Sequence, residues 1–318
     1  MLNLGRSQRI RPIMGIVPFR ECPMTEPLLV AENLTKDYGS FRALDGLNLT
    51  IAPGEVFGLL GPNGSGKSTA LRLMLGFLRP TLGQATIAGF HCWNQGVQAR
   101  RRVAYLPGEL RLYENMTGRR LVRFLAELRG DRLSDKIDAL ARRLDIDIDR
   151  PLTQMSSGMK RKVALLTVLT PEVPLIILDE PTNTLDPTMR DELLEQIQSA
   201  KTRGQAVLFS SHVLQEVEAV CDRVGILRRG MLVHLHHIAD LKDGRDVRAR
   251  WLGPIPSIGP DGIALEPGTI TPDGRLHLTY RGPLPALLDW LGRHAIEDLR
   301  IEPIGLGPIY RRYHGDNP

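Results

Sequence analysis

Hydrophobic positions follow two spacings along this chain, and the spacing decides which elements we predict. Short apolar or alternating runs predict strands at residues 28–34, 44–51, 55–60, 173–178 and 206–210. Helical spacing predicts helices at residues 68–78 and 187–204, after the N-caps Thr117 and Ser134, and from His212. Strands that alternate with helices predict an α/β fold with a mainly parallel core sheet, into which a largely helical subdomain, about residues 90–170, is inserted.

The sequence changes character near residue 238, where proline and glycine become frequent and apolar runs become short. The stretch RLHLTY predicts a strand, PLPALLDWLGRH a helix and LRIEPI another strand. We therefore predict a flexible N-terminal extension at residues 1–23, a main domain at residues 24–237 and a small C-terminal α+β domain at residues 238–318.

The net charge of the chain, +5 at neutral pH, is concentrated at the N-terminus. Residues 1–23 carry four arginines against one glutamate, so about three of the positive charges lie there. The basic residues Lys160, Arg161 and Lys162 are predicted to form the exposed face of a helix rather than a nucleic-acid surface. No nucleic-acid partner is therefore expected.

Cysteine usage and the apolar runs favour a cytosolic protein. The three cysteines form no CxxC pair, which is typical of unpaired thiols in a reducing compartment. No apolar run reaches the roughly 18 residues that a membrane span requires, because prolines and a glutamate interrupt the best candidate, residues 163–178. If the protein works at a membrane, we expect another subunit to span it.

The strongest chemical signal is a glycine-rich loop, GPNGSGKST, between a predicted strand and a predicted helix. It fits the pattern G-x-x-x-x-G-K-[ST], in which backbone N–H groups surround a β-phosphate and the helix N-terminus faces it. In this pattern Lys67 reaches the β- and γ-phosphates, and the Ser68 hydroxyl ligates Mg²⁺. The predicted nucleotide-binding residues are Gly61, Pro62, Asn63, Gly64, Ser65, Gly66, Lys67, Ser68 and Thr69.

Two acidic residues follow the buried strand in PLIILDEPTNTLDP. Asp179 is expected at the exposed end of that strand, where it can hold Mg²⁺ through water, and Glu180 is placed to polarise an attacking water. His212 follows the next strand at the same sheet edge, within reach of a γ-phosphate. Glu180, His212 and Lys67 are therefore the predicted catalytic residues.

These motifs, in this order, resemble the ATP-binding subunit of an ABC transporter over about residues 28–233. The resemblance implies a P-loop NTPase fold with an antiparallel N-terminal β subdomain, ATP and Mg²⁺ as ligands, and ATP hydrolysis. It also implies that Tyr38 stacks on adenine and that Asp186 lies in the D-loop, which contacts a second subunit.

The stretch QMSSGMKRK stands where the family keeps its signature, Leu-Ser-Gly-Gly-Gln. In that family two subunits stack head to tail, and the signature of one closes over the ATP held by the other. Met155, Ser157 and Met159 depart from the family pattern, whereas Ser156 and Gly158 keep it. The resemblance therefore implies a homodimer in which residues 156–158 contact the ATP of the partner chain.

A second departure concerns the glutamine that the family places after YLP, where it links Mg²⁺ to the membrane partner. Here VAYLPGEL puts Gly108 at that place, with Glu109 next. Either Glu109 substitutes as an acceptor on the metal side, or coupling relies on other groups.

The resemblance implies an ATPase subunit that powers transport, with export as the expected direction, through a separate membrane permease. Such a subunit is cytoplasmic and attached to the inner face of the cell membrane through the permease. Two alternatives stay open: a soluble ABC-type ATPase that acts on ribosomes or DNA, and a regulatory ATP-binding module with little turnover. The stretch HLHH at residues 234–237 gives at most two ligands on one strand face, so a solvent-facing strand is favoured over a metal site.

Overall fold

The computed structural model describes residues 26–130, 136–242, 244–254, 256–260, 262, 265, 269–271 and 273–314. The predicted extension at residues 1–23 and the predicted N-cap Ser134 lie outside the described residues. The strands are β1 Leu29–Tyr38, β2 Phe41–Ile51, β3 Val56–Leu60, β4 Leu82–Ile87, β5 Phe90–His91, β6 Val103–Leu106, β7 Leu175–Asp179, β8 Ala206–Ser211, β9 Arg223–Arg228, β10 Met231–His237, β11 Arg245–Trp251, β12 Arg275–Tyr280 and β13 Ile296–Pro303. The helices are α1 Lys67–Met74, α2 Gly96–Arg100, α3 Gly118–Arg129, α4 Lys136–Arg143, α5 Ser157–Leu169, α6 Pro187–Thr202, α7 Leu214–Val220, α8 Ile238–Lys242, α9 Leu284–Gly292 and α10 Leu306–His314.

The central sheet confirms the predicted α/β fold. Its strand order is β10-β9-β3-β8-β7-β6, and all neighbours run parallel except β10, which pairs antiparallel with β9. An antiparallel sheet of order β2-β1-β4-β5 forms the N-terminal β subdomain. Because parallel strands point their carboxyl ends the same way, the segments after β3, β7 and β8 meet at one edge.

Two apolar clusters cover the two faces of the central sheet. Successive residues of a strand point to opposite faces, so Leu175 and Ile177 of β7 join one cluster and Ile176 and Leu178 join the other. Helix α1 contributes to the first cluster together with β1 and β2, and helix α5 contributes to the second together with α3 and α4. Helices α1 and α5 therefore pack on opposite faces of the sheet.

Strand β6 lies within the interval 90–170, where the sequence predicts mainly helix. Its four residues are short for a strand signal, but they pair in parallel with β7 at the edge of the central sheet. The predicted helix after Thr117 is present as α3, and Thr117 Oγ1 caps it by accepting a hydrogen bond from Arg120 N.

The C-terminal segment forms a three-stranded antiparallel sheet of order β12-β11-β13, with α9 packed on one face. Val247, Trp251 and Leu287 lie in its apolar core. The last helix, α10, instead packs on the central domain, where Leu306 is fully buried in the same cluster as α7. Glu218 of α7 accepts a hydrogen bond from the Leu306 N–H group, which anchors the start of α10. The predicted boundary at residue 238 stays a prediction.

Within the described residues, no helix combines the length and the apolar character that a membrane span requires.

Candidate nucleotide site

The glycine-rich loop connects the end of β3 to the start of α1, as the sequence predicts. Gly64 and Gly66 adopt left-handed φ angles of 78° and 109°, which residues with a Cβ rarely adopt. A Cβ on Gly66 would also stand 2.8 Å from the carbonyl oxygen of Ala43. Residues 62–64 are exposed, Ser65 is buried, and Thr69 is half-buried in the first turn of α1. The loop therefore holds its backbone at a helix N-terminus, which favours a phosphate group.

Lys67 is a buried ammonium group at the centre of the site. Its Nζ donates to Gly61 O at 2.5 Å and to Pro62 O at 3.3 Å. The same atom lies 3.2 Å from Glu180 Oε1, across the loop. The lysine is therefore positioned between the glycine-rich loop and the predicted catalytic acid.

Asp179 ends strand β7 and joins two neighbouring elements through its carboxylate. Ser68 Oγ donates to Oδ2 at 3.1 Å, and Ser210 Oγ donates to Oδ1 at 2.7 Å. Hydroxyl and carboxylate oxygens are the ligands that Mg²⁺ prefers, so Ser68 and Asp179 fit the predicted metal. Ser65 Oγ supports a nucleotide here as well, because it is buried with no hydrogen-bond partner among the described residues.

Glu180 and His212 face each other at the same edge. Glu180 Oε2 lies 2.7 Å from His212 Nδ1, and the His212 side chain is 49% exposed whereas the Glu180 side chain is 12% exposed. Glu180 has a left-handed φ of 47°, which is uncommon for a residue with a side chain and is concentrated at functional sites. Its N–H group is held by Ser210, through Oγ at 3.0 Å and the carbonyl oxygen at 3.2 Å. Ser210 is a site residue beyond those predicted from the sequence, although its place near the end of β8, beside β7, is a signal for it.

Tyr38 ends β1 and is exposed, with Lys36 Nζ 5.2 Å from the centre of its ring. An exposed ring is compatible with adenine stacking, which stays a prediction. Asp186 has a local role, because its carboxylate caps α6 by accepting a hydrogen bond from Met189 N at 3.0 Å.

The predicted signature residues form the N-terminus of α5. Ser156 is the N-cap, and its Oγ accepts a hydrogen bond from Met159 N at 3.3 Å. Ser157 and Gly158 lie in the first turn, and a Cβ on Gly158 would stand 3.2 Å from Thr184 O. Because α5 and α1 pack on opposite faces of the central sheet, the chain presents two separate helix N-termini for phosphate.

The loop after β6 brings Gly108 next to the metal-side carboxylate. A Cβ built on Gly108 would lie 3.5 Å from Asp179 Oδ2, whereas Glu109 is exposed. Among the described residues, Glu109 forms no recorded hydrogen bond or ion pair with Asp179 or Ser68, so its predicted role as a substitute acceptor stays a prediction.

Two predictions about exposed residues are wrong. Arg161 is buried, 2% exposed, because its guanidinium finds hydrogen-bond acceptors at the end of β7. His234 and His236 of β10 are half-buried rather than solvent-facing, since their rings stack at 5.3 Å and His234 also contacts Tyr313 of α10. Across the described residues, no cluster of three or more histidine, cysteine or acidic side chains could hold a metal.

Comparison with known proteins decides the family. A family model described as ABC transporter matches residues 44–183. The probable multidrug ABC transporter ATP-binding protein YbhF of Escherichia coli K12 is 35% identical over 236 residues, which cover 73% of this chain and 41% of YbhF. The linearmycin resistance ATP-binding protein LnrL of Bacillus subtilis 168 is 31% identical over 221 residues, 67% of this chain and 70% of LnrL. The chain belongs to the ABC transporter ATP-binding proteins.

Solved structures of ABC transporter cassettes agree with the fold. An ATP-binding subunit of an ABC transporter superposes with a TM-score of 0.63 at 31% identity, covering 68% of this chain and 92% of that chain. A dimeric bacterial ABC transporter cassette, MJ0796, superposes with a TM-score of 0.61 at 22% identity, covering 66% of this chain and 98% of that chain, and shows the fold alone. The region of this ABC transporter ATP-binding protein that matches YbhF spans 41% of the length of YbhF.

Proposed function

We propose that this protein binds ATP with Mg²⁺ at the glycine-rich loop and hydrolyses it, and that the energy drives transport through a separate membrane permease. The observation that carries the proposal is the meeting of three side chains at one sheet edge. Lys67 Nζ lies 3.2 Å from one carboxylate oxygen of Glu180, and His212 Nδ1 lies 2.7 Å from the other. A lysine at the phosphate loop can bind the phosphate oxygens, and a carboxylate beside it can orient an attacking water, which are two of the tasks of phosphoryl transfer to water.

Each residue has a separate task in this proposal. Loop N–H groups and Lys67 bind the phosphate oxygens and balance the charge that develops on them. Glu180 accepts hydrogen-bond donation from the attacking water, for which Oε1 is suited because it has no aligned donor among the described residues. His212 keeps the carboxylate oriented through Oε2 and is exposed enough to reach a γ-phosphate. Mg²⁺, held by Ser68 and through water by Asp179, would add positive charge at the phosphates when bound.

We further propose that two chains form a homodimer with shared ATP sites. Helices α1 and α5, whose N-termini carry the glycine-rich loop and Ser156, pack on opposite faces of the sheet. A head-to-tail pair can therefore bring the Ser156 end of one chain to the Lys67 site of the other. A solved cassette of the same fold, MJ0796, is dimeric.

The transport direction is proposed from the relatives. YbhF is named a probable multidrug transporter component and LnrL a linearmycin resistance component, and both names fit removal of compounds from the cell. We therefore propose an exporter ATPase that acts on the cytoplasmic face of the membrane, attached there through its permease.

The substitution Glu180→Gln tests the hydrolytic role. It keeps the side-chain shape and removes the carboxylate charge, so turnover should fall at least about a hundredfold, the size expected for loss of a catalytic base. ATP affinity, measured with a fluorescent analogue, should change less than about twofold, because the loop and Lys67 remain. The exposed Glu195→Gln on α6 is the matched control and should hydrolyse ATP normally. Unchanged phosphate release by Glu180→Gln would remove Glu180 from the mechanism.

A further inference from the structure

Arg161 is a buried cation in the second turn of the signature helix α5. Its side chain is 2% exposed, although lysines flank it on both sides. Burial in a weakly polar environment is the main effect on this group and lowers the pKa of its guanidinium, while the charges of Asp179 and Glu180 oppose the change. An arginine is buried at this cost only where its donors are well satisfied.

The guanidinium is satisfied entirely by main-chain carbonyl oxygens, as far as the described residues show. Nη1 donates to Pro107 O at 3.0 Å and to Gly108 O at 3.1 Å. Nη2 donates to Asp179 O at 3.2 Å and to Glu180 O, and Nε donates to Pro181 O at 3.1 Å. These bonds use the planar fork of five N–H donors that arginine has and lysine lacks.

The bonds join three segments of the described chain. One end of the fork holds the loop after β6, the other holds the turn after β7, and the stem belongs to the helix whose N-terminus is the signature. The fork links the loop of Gly108 to Glu180, because one guanidinium donates to the carbonyl oxygens of both residues.

The backbone of Glu180 is where this link matters for chemistry. Its left-handed φ of 47° is an uncommon conformation for glutamate and persists only when neighbouring groups fix it. Ser210 holds the N–H group of Glu180 and Arg161 holds its carbonyl oxygen, so both sides of the residue are fixed. A rotation of this backbone would move the carboxylate away from Lys67 and His212.

We propose that Arg161 is a positioning residue for hydrolysis, which sets the carboxylate of Glu180 and ties it to the Pro107–Gly108 loop and the signature helix. A shift of that loop or of α5 therefore reaches Glu180 through one guanidinium. This inference rests on the proposed hydrolytic function, because it gives Arg161 a role only through Glu180.

The test compares Arg161→Gln and Arg161→Lys with the control Lys162→Gln, whose lysine bonds to Asp145 O away from the site. Both arginine variants lose the fork, so turnover should fall about tenfold or more while ATP affinity stays within about twofold. Hydrogen exchange at the amides of residues 108–110 and of Asp179, Glu180 and Thr182 should rise in both variants and not in the control. In the Glu180→Gln background, Arg161→Gln should lower residual turnover less than about twofold, since residues acting as one unit are not additive.

Several results would overturn the proposal. Normal turnover in Arg161→Gln would do so. A tenfold lower turnover of the double variant, compared with Glu180→Gln alone, would do so as well. Loss of ATP affinity in proportion to turnover, or failure of both arginine variants to fold, would show a general structural role instead. The proposed function has a separate point of failure. It fails if the unsubstituted protein does not hydrolyse ATP, or if Glu180→Gln releases phosphate at the unsubstituted rate.

Discussion

His212 and Glu180 are joined side chain to side chain, with His212 Nδ1 2.7 Å from Glu180 Oε2 across the ends of strands β8 and β7. The imidazole is half exposed and the carboxylate is nearly buried, so the pair has one group facing solvent and one facing the phosphate loop. A side chain that contacts the acid from the open side can both orient it and reach a bound phosphate.

Replacing His212 by alanine should therefore reduce turnover about a hundredfold, the size of effect expected when one preorganised donor to a transition state is removed. ATP affinity should stay nearly constant, because the loop residues are unchanged. Steady-state phosphate release and nucleotide titration together check this. His237→Ala, at an exposed position on β10, is the control, and normal turnover in His212→Ala would contradict the role given to the imidazole.

Replacing Lys67 by methionine should weaken nucleotide binding rather than the chemical step alone. The ammonium group is the charged donor of the loop, and loss of a charge-assisted hydrogen bond should weaken ATP binding about tenfold to a hundredfold. Equilibrium titration with a fluorescent ATP analogue measures this. Lys136→Met, at an exposed ion pair with Glu172, should bind as the unsubstituted protein does, and equal affinities for all three proteins would exclude a phosphate contact by Lys67.

Truncating the buried side chain of Leu306, at the start of helix α10, should destabilise the whole protein. Leu306 is fully buried against the cluster that contains α7, so Leu306→Ala should lower the free energy of unfolding by about 2–5 kcal/mol. Leu288→Ala on α9, where the side chain is 47% exposed, should cost much less. Urea denaturation compares the two, and equal small effects would show that α10 is not part of the central core.

The fold and the loop chemistry were predictable because their signals are local. The spacing in GPNGSGKST, the acids after an apolar strand and the cap Thr117 all lie within a few residues of what they predict, and the predicted fold is confirmed. Strand β11 was missed because RDVRARW holds three arginines and an aspartate in seven residues, and this polarity masks the alternation of Val247, Ala249 and Trp251. The buried face of these three residues appears only in the cluster with α9.

The burial of Arg161 could not be predicted from its own segment. A run of three basic residues on a helix is normally solvated, and the acceptors that bury this one come from residues 107–108 and 179–181. The partial burial of the β10 histidines was mispredicted for the same reason, because the ring that contacts His234 belongs to Tyr313, far along the chain. Side chains that depend on distant partners are the ones for which sequence spacing gives the wrong exposure.

The most direct measurement of the central claim, an ATP site shared between two chains, mixes two inactive variants. Glu180→Gln removes hydrolysis at its own loop, and Ser156→Arg blocks the signature that serves the partner. Mixed dimers then contain one intact site, made of the Lys67 loop from one chain and the signature from the other. Random mixing in equal amounts should restore about a quarter of the unsubstituted turnover, because half of the dimers are mixed and each has one working site of two. Turnover no higher than that of the separate variants at every mixing ratio would contradict the shared site.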